Sequence, residues 1–356
     1  MDIRITRTTA PKTKPPEAEL GFGKYFSDHL FAMDYSAEKG WFDARIVPYA
    51  PFQLDPAAGV FHYGQAMFEG SKAFRGQDGR IRLFRPKEHA RRLAIGAPRL
   101  CMPSPAEADM AAAVKALVKV DADWVPKSEG TSLYLRPTLI ATEGFLGVRP
   151  ATKYLYYVIA SPAGNYFGGK GLKTVRIWVE TQEVRAPRGG LGATKAGANY
   201  AASLHSAMNA KKNGYDQVLW LDGKDHEFVE EVGTMNVCFL LGGKTLVTPP
   251  LSDSILAGVT RDSVLALARE QGFTVEERPI SIKELRSAHQ NGKLSEVFGT
   301  GTAAVISPVG ELAFAGEKLV INDGKPGPIA QQFYETIGAI QRGAKPDTHG
   351  WLEAID

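Results

Sequence analysis

Residues 189–200 of this chain read GGLGATKAGANY, which sets one long cationic side chain, Lys195, among residues with almost no side-chain bulk. Glycines on both sides allow the backbone to approach a bound group closely. Residues 199–212 then predict a helix that ends at Asn213-Gly214. A lysine in this position suits a phosphate clamp, a general base or a Schiff-base nucleophile, and it also suits an ordinary solvated loop residue.

Length and composition indicate a globular protein of two domains. The chain has 356 residues, of which 44% are hydrophobic and 23% charged, and its net charge is +3. A charge so close to balance argues against a nucleic-acid-binding protein with a broad basic face, and the basic residues 4–14 are interpreted as a solvated tail. No apolar run is long enough to span a bilayer, and residues 1–4 lack the apolar core of a signal peptide.

The two cysteines, Cys101 and Cys238, lie far apart and do not have the spacing of metal ligands. Both are surrounded by apolar residues. The sequence therefore predicts two buried thiols and no metal, which is typical of a reducing cytoplasm.

Strand and helix patterns alternate irregularly, which favours an α+β fold over a doubly wound sheet. Strands are predicted at 80–84, 134–137, 154–160, 174–180, 217–221, 228–232, 236–241 and 245–247, and the uncharged 154–160 as a central one. Helices are predicted at 86–93, from 104 with Pro105 at the first helical position, at 261–271 and from Ser281. The glycine-rich stretch 163–173 is interpreted as the connection between a smaller α/β domain, 1–162, and a larger cofactor-binding domain, 174–356.

Two glycine-rich stretches partly match the sequence motifs of nucleotide-binding sites. Residues 164–171 match a phosphate loop up to its lysine, but Gly171 stands where a Ser or Thr should bind magnesium, and a strand follows where a helix is needed. Residues 299–304 resemble a dinucleotide fingerprint, but no long helix can follow them. Neither is interpreted as a nucleotide site.

Three short segments complement Lys195. Glu231 is predicted at the end of a strand, before Gly233 and Thr234, where a carboxylate can face a pocket. Residues 256–261, LAGVTR, open a helix whose N-terminal amides and Thr260 hydroxyl suit an anion. Residues 299–303, GTGTA, add two hydroxyls among small residues. Pyridoxal 5'-phosphate requires an amine, a carboxylate and groups that bind its phosphate, and Lys195, Glu231 and the two segments 256–261 and 299–303 would supply them.

Together with other segments, these motifs closely resemble the branched-chain amino acid aminotransferases of fold type IV. The resemblance runs from Phe22 to Trp351 and includes the segments FHYG at 61–64, MFEG at 67–70, LFRP at 83–86, YLRP at 134–137, LGV at 146–148 and GNYF at 164–167. It implies a two-domain fold like that of D-amino acid aminotransferase and a pyridoxal phosphate enzyme that converts L-leucine, L-isoleucine and L-valine, with 2-oxoglutarate, into branched 2-oxo acids and L-glutamate.

The resemblance also implies a role for individual residues. On the cofactor, Lys195 would bind the aldehyde, Glu231 the ring nitrogen and Tyr200 the phenolic oxygen, while the phosphate would be held by Arg92, the amides of Val259 and Thr260 and the hydroxyl of Thr302. The aliphatic side chain of the substrate would meet Phe22, Tyr63, Phe68, Tyr134 and Tyr166. Thr234, which is also close to the cofactor, would hold the α-carboxylate with Ala303 and Tyr63, and Arg136 would serve a dicarboxylate.

Leu146 and Val148 would reach into the pocket of a neighbouring subunit, so the resemblance implies a cytoplasmic homodimer whose small-molecule partners are amino acids and 2-oxo acids. Vertebrate members carry a Cys-x-x-Cys pair where this chain has Ala304 and Ser307. That thiol switch is therefore absent, as expected of a bacterial biosynthetic or catabolic enzyme.

Two other enzymes of the fold are alternatives. D-amino acid aminotransferase and aminodeoxychorismate lyase share the lysine, the acid and the phosphate-binding segments. A non-catalytic protein that binds pyridoxal phosphate is a third alternative.

Overall fold

A computed structural model of the chain describes residues 1–164 and 171–355. The chain divides into two compact units. Unit 1 comprises Met1–Lys170, Thr194–Ala198 and Gly338–Asp356, and unit 2 comprises Gly171–Ala193 and Asn199–Ile337. The segment that carries Lys195 therefore groups with unit 1, although the chain on both sides of it belongs to unit 2.

Unit 1 is built on one sheet. Its strands are β1 (Arg4–Ile5), β2 (His29–Ser36), β3 (Gly40–Pro48), β4 (Ala66–Phe68), β5 (Ser71–Arg75), β6 (Ile81–Phe84), β7 (Ser132–Ala141), β8 (Lys153–Ala163) and, near the C-terminus, β18 (Leu352–Ile355). They follow the order β1-β3-β2-β8-β7-β5-β6-β18, with β4 paired to β7. The strand predicted at 154–160 is thus central, as its uncharged sequence indicated.

The helices of unit 1 are α1 (Gly59–Tyr63), α2 (Pro86–Gly96) and α3 (Glu107–Val120). Helix α3 buries Met110, Val114 and Leu117 and packs against β2 and β8, as its helical spacing predicts. Its start was predicted wrongly. Pro105 lies before the helix, whose N-cap is Ala106, and the acids Glu107 and Asp109 occupy the first turn, where they suit the helix dipole.

Unit 2 has a mixed sheet. Its strands are β9 (Val175–Val179), β10 (Gln217–Leu221), β11 (Val229–Val232), β12 (Asn236–Leu241), β13 (Thr245–Thr248), β14 (Thr274–Glu277), β15 (Leu294–Gly301), β16 (Val305–Phe314) and β17 (Glu317–Val320). The order is β11-β10-β9-β16-β15-β12-β13-β14, with β17 paired to β16. The helices are α4 (Gly197–Ala202), α5 (Leu204–Lys212), α6 (Val259–Glu270), α7 (Ile282–Gln290) and α8 (Pro328–Gln341).

Helix α6 packs against β14 and β15, and α7 begins where the sequence predicts. The Ser281 hydroxyl caps α7 by accepting a hydrogen bond of 3.0 Å from the Glu284 amide. The predicted helix at 261–271 begins two residues earlier than expected, at Val259. This earlier start brings both Val259 and Thr260 into its first turn.

A strand follows each of the two glycine-rich stretches, as the sequence predicts. Strands β15 and β16 pair antiparallel with Gly301 opposite Val305, so residues 299–304 lie in a hairpin and open no helix. The phosphate-loop pattern falls mostly on residues 165–170, outside the described residues, and strand β9 follows it.

Two further predictions differ from the structure in part. The helix expected at 199–212 is broken into α4 and α5, because the Ser203 hydroxyl donates a hydrogen bond of 2.8 Å to the Tyr200 carbonyl and competes with the helical bonding. Cys238 is buried, but Cys101 is exposed. Cys101 ends a 3₁₀ turn with a left-handed backbone (φ 52°), which places its side chain outside the core despite its apolar neighbours.

Within the described ranges, none of the helices combines the length and the apolar character needed to cross a membrane.

Candidate active site

Lys195 is held in place by strand β4. The Phe68 amide donates a hydrogen bond of 3.1 Å to the Lys195 carbonyl, and Met67 forms a bridge with Ala196. The Lys195 Nζ lies 4.7 Å from the centroid of the Phe68 ring. The small residues around the lysine therefore let its backbone pair with a strand of unit 1, which fixes the amine over an aromatic face.

The environment of Lys195 makes its amine easier to deprotonate than that of an ordinary lysine. Burial, followed by the positive charge of Arg92, lowers the pKa of Lys195 to about 8, against the smaller opposing effect of Glu69. An amine that loses its proton this readily serves both as a nucleophile and as a base near neutral pH. This separates Lys195 from an ordinary surface lysine.

Arg92, on α2, is fixed by a carboxylate. Glu69 is 1% exposed, and its two oxygens accept hydrogen bonds of 2.7 Å from Arg92 Nε and 2.8 Å from Arg92 Nη2. His89 Nδ1 lies 3.0 Å from Glu69 Oε2. Burial alone would raise the pKa of Glu69, but the charge and hydrogen bonds of Arg92 outweigh it and hold that pKa well below its usual range. The carboxylate is therefore charged and orients the guanidinium.

Four of the predicted substrate residues lie together in unit 1. The Phe22 and Tyr134 rings meet edge to face, with centroids 4.8 Å apart. The Arg136 guanidinium lies 4.6 Å from the Phe68 ring and donates a hydrogen bond of 3.1 Å to the Tyr134 hydroxyl. This confirms that Tyr134 and Arg136 project from the same side of β7, as their i, i+2 spacing predicts.

A glycine makes room for this cluster. A Cβ at Gly70 would overlap the Tyr134 hydroxyl, so only glycine fits beside β7 at this point. In the part of the chain that the structure describes, Arg136 Nε is buried and has no hydrogen-bond partner. Among the described residues nothing accepts a hydrogen bond from that N–H, so it is a donor that a ligand can use.

The remaining predicted residues of unit 1 lie at its surface. Tyr63, at the end of α1, donates a hydrogen bond to the Leu146 carbonyl. The side chains of Leu146 and Val148 are strongly exposed, Val148 at 86%. Tyr166, the last of the predicted substrate residues, lies outside the described residues.

In unit 2, Glu231 is buried at the end of β11, with 2% exposure. Its Oε1 accepts a hydrogen bond of 2.8 Å from the Leu256 amide and lies 3.1 Å from Arg185 Nη2. Arg185 is itself fixed by the carbonyls of Gly192 at 2.8 Å and Ser254 at 2.6 Å. A buried carboxylate with these donors is paired with a positive charge and keeps its orientation.

The start of α6 suits an anion. Its N-cap is Gly258, and among the described residues no side chain caps the helix, so the positive end of the helix dipole, at Val259 and Thr260, can attract an anion. A Cβ at Gly258 would overlap the Asn236 side-chain oxygen, so the close approach of β12 requires glycine here. Asn236 Nδ2 donates a hydrogen bond of 2.9 Å to the Leu256 carbonyl and fixes the segment that leads into the helix.

Tyr200 and Thr234 line one small pocket of unit 2, together with Arg185, Asn199, Ser203 and Gly233. Thr302 and Ala303 lie in the tight turn between β15 and β16, directly after Gly301. Each unit thus contains several of the site residues that were predicted from the sequence.

Two residues that orient the others, Glu69 and Arg185, were not predicted from the sequence. An acid inside the apolar segment 66–74 was a usable signal, because a buried carboxylate needs a cationic partner. Arg185 carries no such signal, because its contacts with Glu231 and Gly192 are set by the fold.

The chemistry of these groups fits pyridoxal 5'-phosphate. The cofactor needs an amine for its aldehyde, an anion for its ring nitrogen, and cationic or amide donors for its phosphate. Lys195 supplies the amine with a lowered pKa, Glu231 the buried carboxylate, and Arg92 and the uncapped start of α6 the donors. No cluster of potential metal ligands occurs in the residues described.

Comparisons with known proteins show the family of this chain. The amino-transferase class IV model matches residues 66–312. The chain is 50% identical to branched-chain-amino-acid aminotransferase 2 of Bacillus subtilis over 353 residues, which is 99% of this chain and 97% of the relative. It is 46% identical to the branched-chain-amino-acid aminotransferase of Mycolicibacterium smegmatis over 364 residues, covering 100% and 99% of the two chains.

Solved structures match as well. The branched-chain amino acid aminotransferase of Escherichia coli has a TM-score of 0.77 at 26% identity, covering 92% of this chain and 99% of that one. The branched-chain amino acid aminotransferase of Thermobaculum terrenum, in its PLP-form, has a TM-score of 0.77 at 25% identity, covering 92% and 98%. These matches confirm the α+β, two-domain fold that the resemblance implied.

Proposed function

Because this chain belongs to the class IV aminotransferases, we propose that it transfers the amino group of L-leucine, L-isoleucine and L-valine to 2-oxoglutarate, with pyridoxal 5'-phosphate as its cofactor. The products are the branched 2-oxo acids and L-glutamate. The family predicted from the sequence is confirmed. The substrates follow from relatives that are 50% identical over nearly the whole chain and carry the name of branched-chain aminotransferases.

One observation carries the proposal: the Lys195 amine has a pKa lowered to about 8 and lies over the Phe68 ring, beside Arg136 and Tyr134. When bound, the cofactor withdraws electrons from the Cα of the substrate and makes its proton acidic. Lys195 Nζ, once neutral, accepts that proton. Because nucleophile and base are the same amine, its position against β4 fixes the geometry of both roles.

The other cofactor roles are assigned residue by residue. Glu231, held by Arg185 and the Leu256 amide, pairs with the ring nitrogen. Arg92, Val259, Thr260 and Thr302 hold the phosphate. In a buried setting, charged partners of this kind contribute more than they do in water.

The substrate residues explain how one pocket accepts both an aliphatic and an acidic substrate. Phe22, Phe68 and Tyr134 offer ring faces and edges to an aliphatic chain. Arg136 has a buried Nε–H without a hydrogen-bond partner among the described residues, and it can donate to a side-chain carboxylate of glutamate or 2-oxoglutarate. Tyr63, Thr234, Ala303 and Tyr166 complete the proposed substrate set.

The exposed Leu146 and Val148 support a homodimer in which these apolar side chains complete the pocket of the neighbouring subunit. We place the enzyme in the cytoplasm, where the free thiols of Cys101 and Cys238 stay reduced.

A coupled assay tests the proposal. The purified protein, incubated with L-leucine and 2-oxoglutarate, is expected to form L-glutamate and 4-methyl-2-oxopentanoate in equal amounts. Turnover of D-alanine, or release of pyruvate from aminodeoxychorismate, without turnover of leucine would instead assign one of the alternative class IV activities. Cofactor absorbance without turnover of any of these would indicate a non-catalytic protein.

A further inference from the structure

Unit 2 contains a second cleft, of about 260 Å³, whose lining residues all belong to that unit. Its walls are largely apolar and include Phe228, Pro249, Pro279 and Ile255. A cavity of this size, with apolar walls and few polar groups, suits one small molecule.

One of the lining residues is Glu230, the neighbour of Glu231 on β11. Successive side chains of a strand point to opposite faces, so the two carboxylates serve different sites. Glu230 is 6% exposed, and its Oε1 accepts a hydrogen bond of 2.5 Å from the Ser254 hydroxyl. Its Oε2 is buried and, within the described ranges, has no hydrogen-bond partner. A buried carboxylate oxygen in this state is costly unless a donor reaches it.

The charges near Glu230 indicate what kind of ligand would carry a hydrogen-bond donor for its Oε2. Burial raises the pKa of Glu230, and the hydrogen bond from Ser254, the charge of Arg185 and, more weakly, that of Arg188 act against this rise. Arg188 is exposed and lines the same cleft, so its guanidinium provides a positive charge there in addition to the carboxylate of Glu230.

The other charged groups of the lining are already engaged. The Asp222 carboxylate accepts hydrogen bonds from four backbone amides, those of Lys224, Asp225, Glu227 and Phe228. Lys224 pairs with Asp225 at 3.4 Å. Glu230 and Arg188 are therefore the pair left to bind a ligand with one positive and one negative end.

From this arrangement we infer that the cleft is a second binding site, for a free α-amino acid with an apolar side chain. The ammonium group donates to Glu230 Oε2, the carboxylate pairs with Arg188, and the side chain packs against Phe228, Pro249 and Pro279. This site does not depend on the proposed reaction, since none of the residues assigned to the cofactor or substrate lines it.

The test uses α-methyl-L-leucine, which has no α-hydrogen and so is not turned over. Equilibrium dialysis against the purified protein is expected to show two saturable sites per chain, the proposed active site and the cleft, and Glu230→Gln and Arg188→Met each weaken binding at only one of them, about tenfold or more, because each removes one charge-assisted contact. Lys224→Met, which removes a cation of the same lining that is already paired, is the matched control and should leave the affinity unchanged.

Two analogues test the ammonium contact and the carboxylate contact of the ligand separately. Isoamylamine keeps the ammonium group alone, so only Glu230→Gln should weaken its binding. 4-Methylvaleric acid keeps the carboxylate alone, so only Arg188→Met should weaken its binding. Arg188 is exposed, and its variant therefore keeps the test valid if Glu230→Gln does not fold.

Binding of α-methyl-L-leucine that neither variant changes would overturn the inference, because the probe would then occupy another site. Absence of saturable binding would overturn it as well, and would leave Glu230 Oε2 to ordered water.

Discussion

The Phe68 amide donates a hydrogen bond of 3.1 Å to the Lys195 carbonyl, and the Phe68 ring lies 4.7 Å below the Lys195 amine. One residue of β4 thus fixes both the backbone and the side-chain position of the reactive lysine. The same ring contacts the Arg136 guanidinium at 4.6 Å, which places the proposed base and the proposed carboxylate-binding residue on one aromatic side chain.

The lowered pKa of Lys195 predicts how fast the apoenzyme captures its cofactor. Only the neutral amine reacts, so the capture rate should rise about tenfold per pH unit below the pKa and level off above about 8. Stopped-flow absorbance of apoenzyme mixed with pyridoxal phosphate across this range measures it. A rate that keeps rising beyond about pH 10, as for an ordinary lysine, would show that the amine is not perturbed.

Glu69→Gln should lower the free energy of unfolding at neutral pH by about 3 kcal/mol, because it leaves Arg92 without its buried counter-charge. The folded state depresses the pKa of Glu69, so its contribution is complete above the ordinary glutamate pKa and is lost as the pH falls below it. Urea unfolding of the wild type and of Glu69→Gln at neutral and at acidic pH should therefore show a difference in the free energy of unfolding that becomes smaller in acid. A difference that stays constant with pH would mean that the Glu69 carboxylate is not the source of the stability.

Glu231→Gln should keep the fold and reduce turnover about a hundredfold or more, because a neutral amide cannot hold a proton on the ring nitrogen of the cofactor. Glu227→Gln, which changes an acid just before β11, is the control. Circular dichroism and steady-state rates with leucine measure the two effects. Turnover near that of the wild type would remove Glu231 from the cofactor.

Arg136→Met should weaken the glutamate and 2-oxoglutarate half-reaction far more than the leucine half-reaction. A charge-assisted pair contributes about 1.5–3 kcal/mol, so a selective loss of about ten- to hundredfold in kcat/KM is expected. Arg91→Met removes an exposed arginine of α2 and serves as the control. Single-turnover measurements of each half-reaction decide it, and equal losses on both would make Arg136 a structural residue.

Local patterns were enough to predict much of this site. The spacing of Tyr134 and Arg136 on β7 and the helix start before Thr260 follow from short-range geometry, which a sequence displays directly. Cys101 was predicted wrongly for a related reason, since its apolar neighbours do not reveal the left-handed turn that exposes it.

Contacts between distant parts of the chain could not be predicted. The pairing of Glu231 with Arg185, and the grouping of Thr194–Ala198 and Gly338–Asp356 with unit 1, depend on which strands and helices pack together. No local pattern carries that information. The cleft at Glu230 could not be predicted for the same reason, because its lining residues come from separated stretches of unit 2 between Arg188 and Pro279.

The most direct test of the account is to identify the lysine that binds the cofactor. The holoenzyme is reduced with borohydride, digested and mapped by mass spectrometry. Lys195→Ala is measured beside Lys173→Ala, which changes a lysine outside the proposed site. We expect the phosphopyridoxyl label on the peptide that contains Lys195, and a loss of turnover of about 10⁴-fold in Lys195→Ala alone. A label on any other lysine, or full activity of Lys195→Ala, would contradict the account.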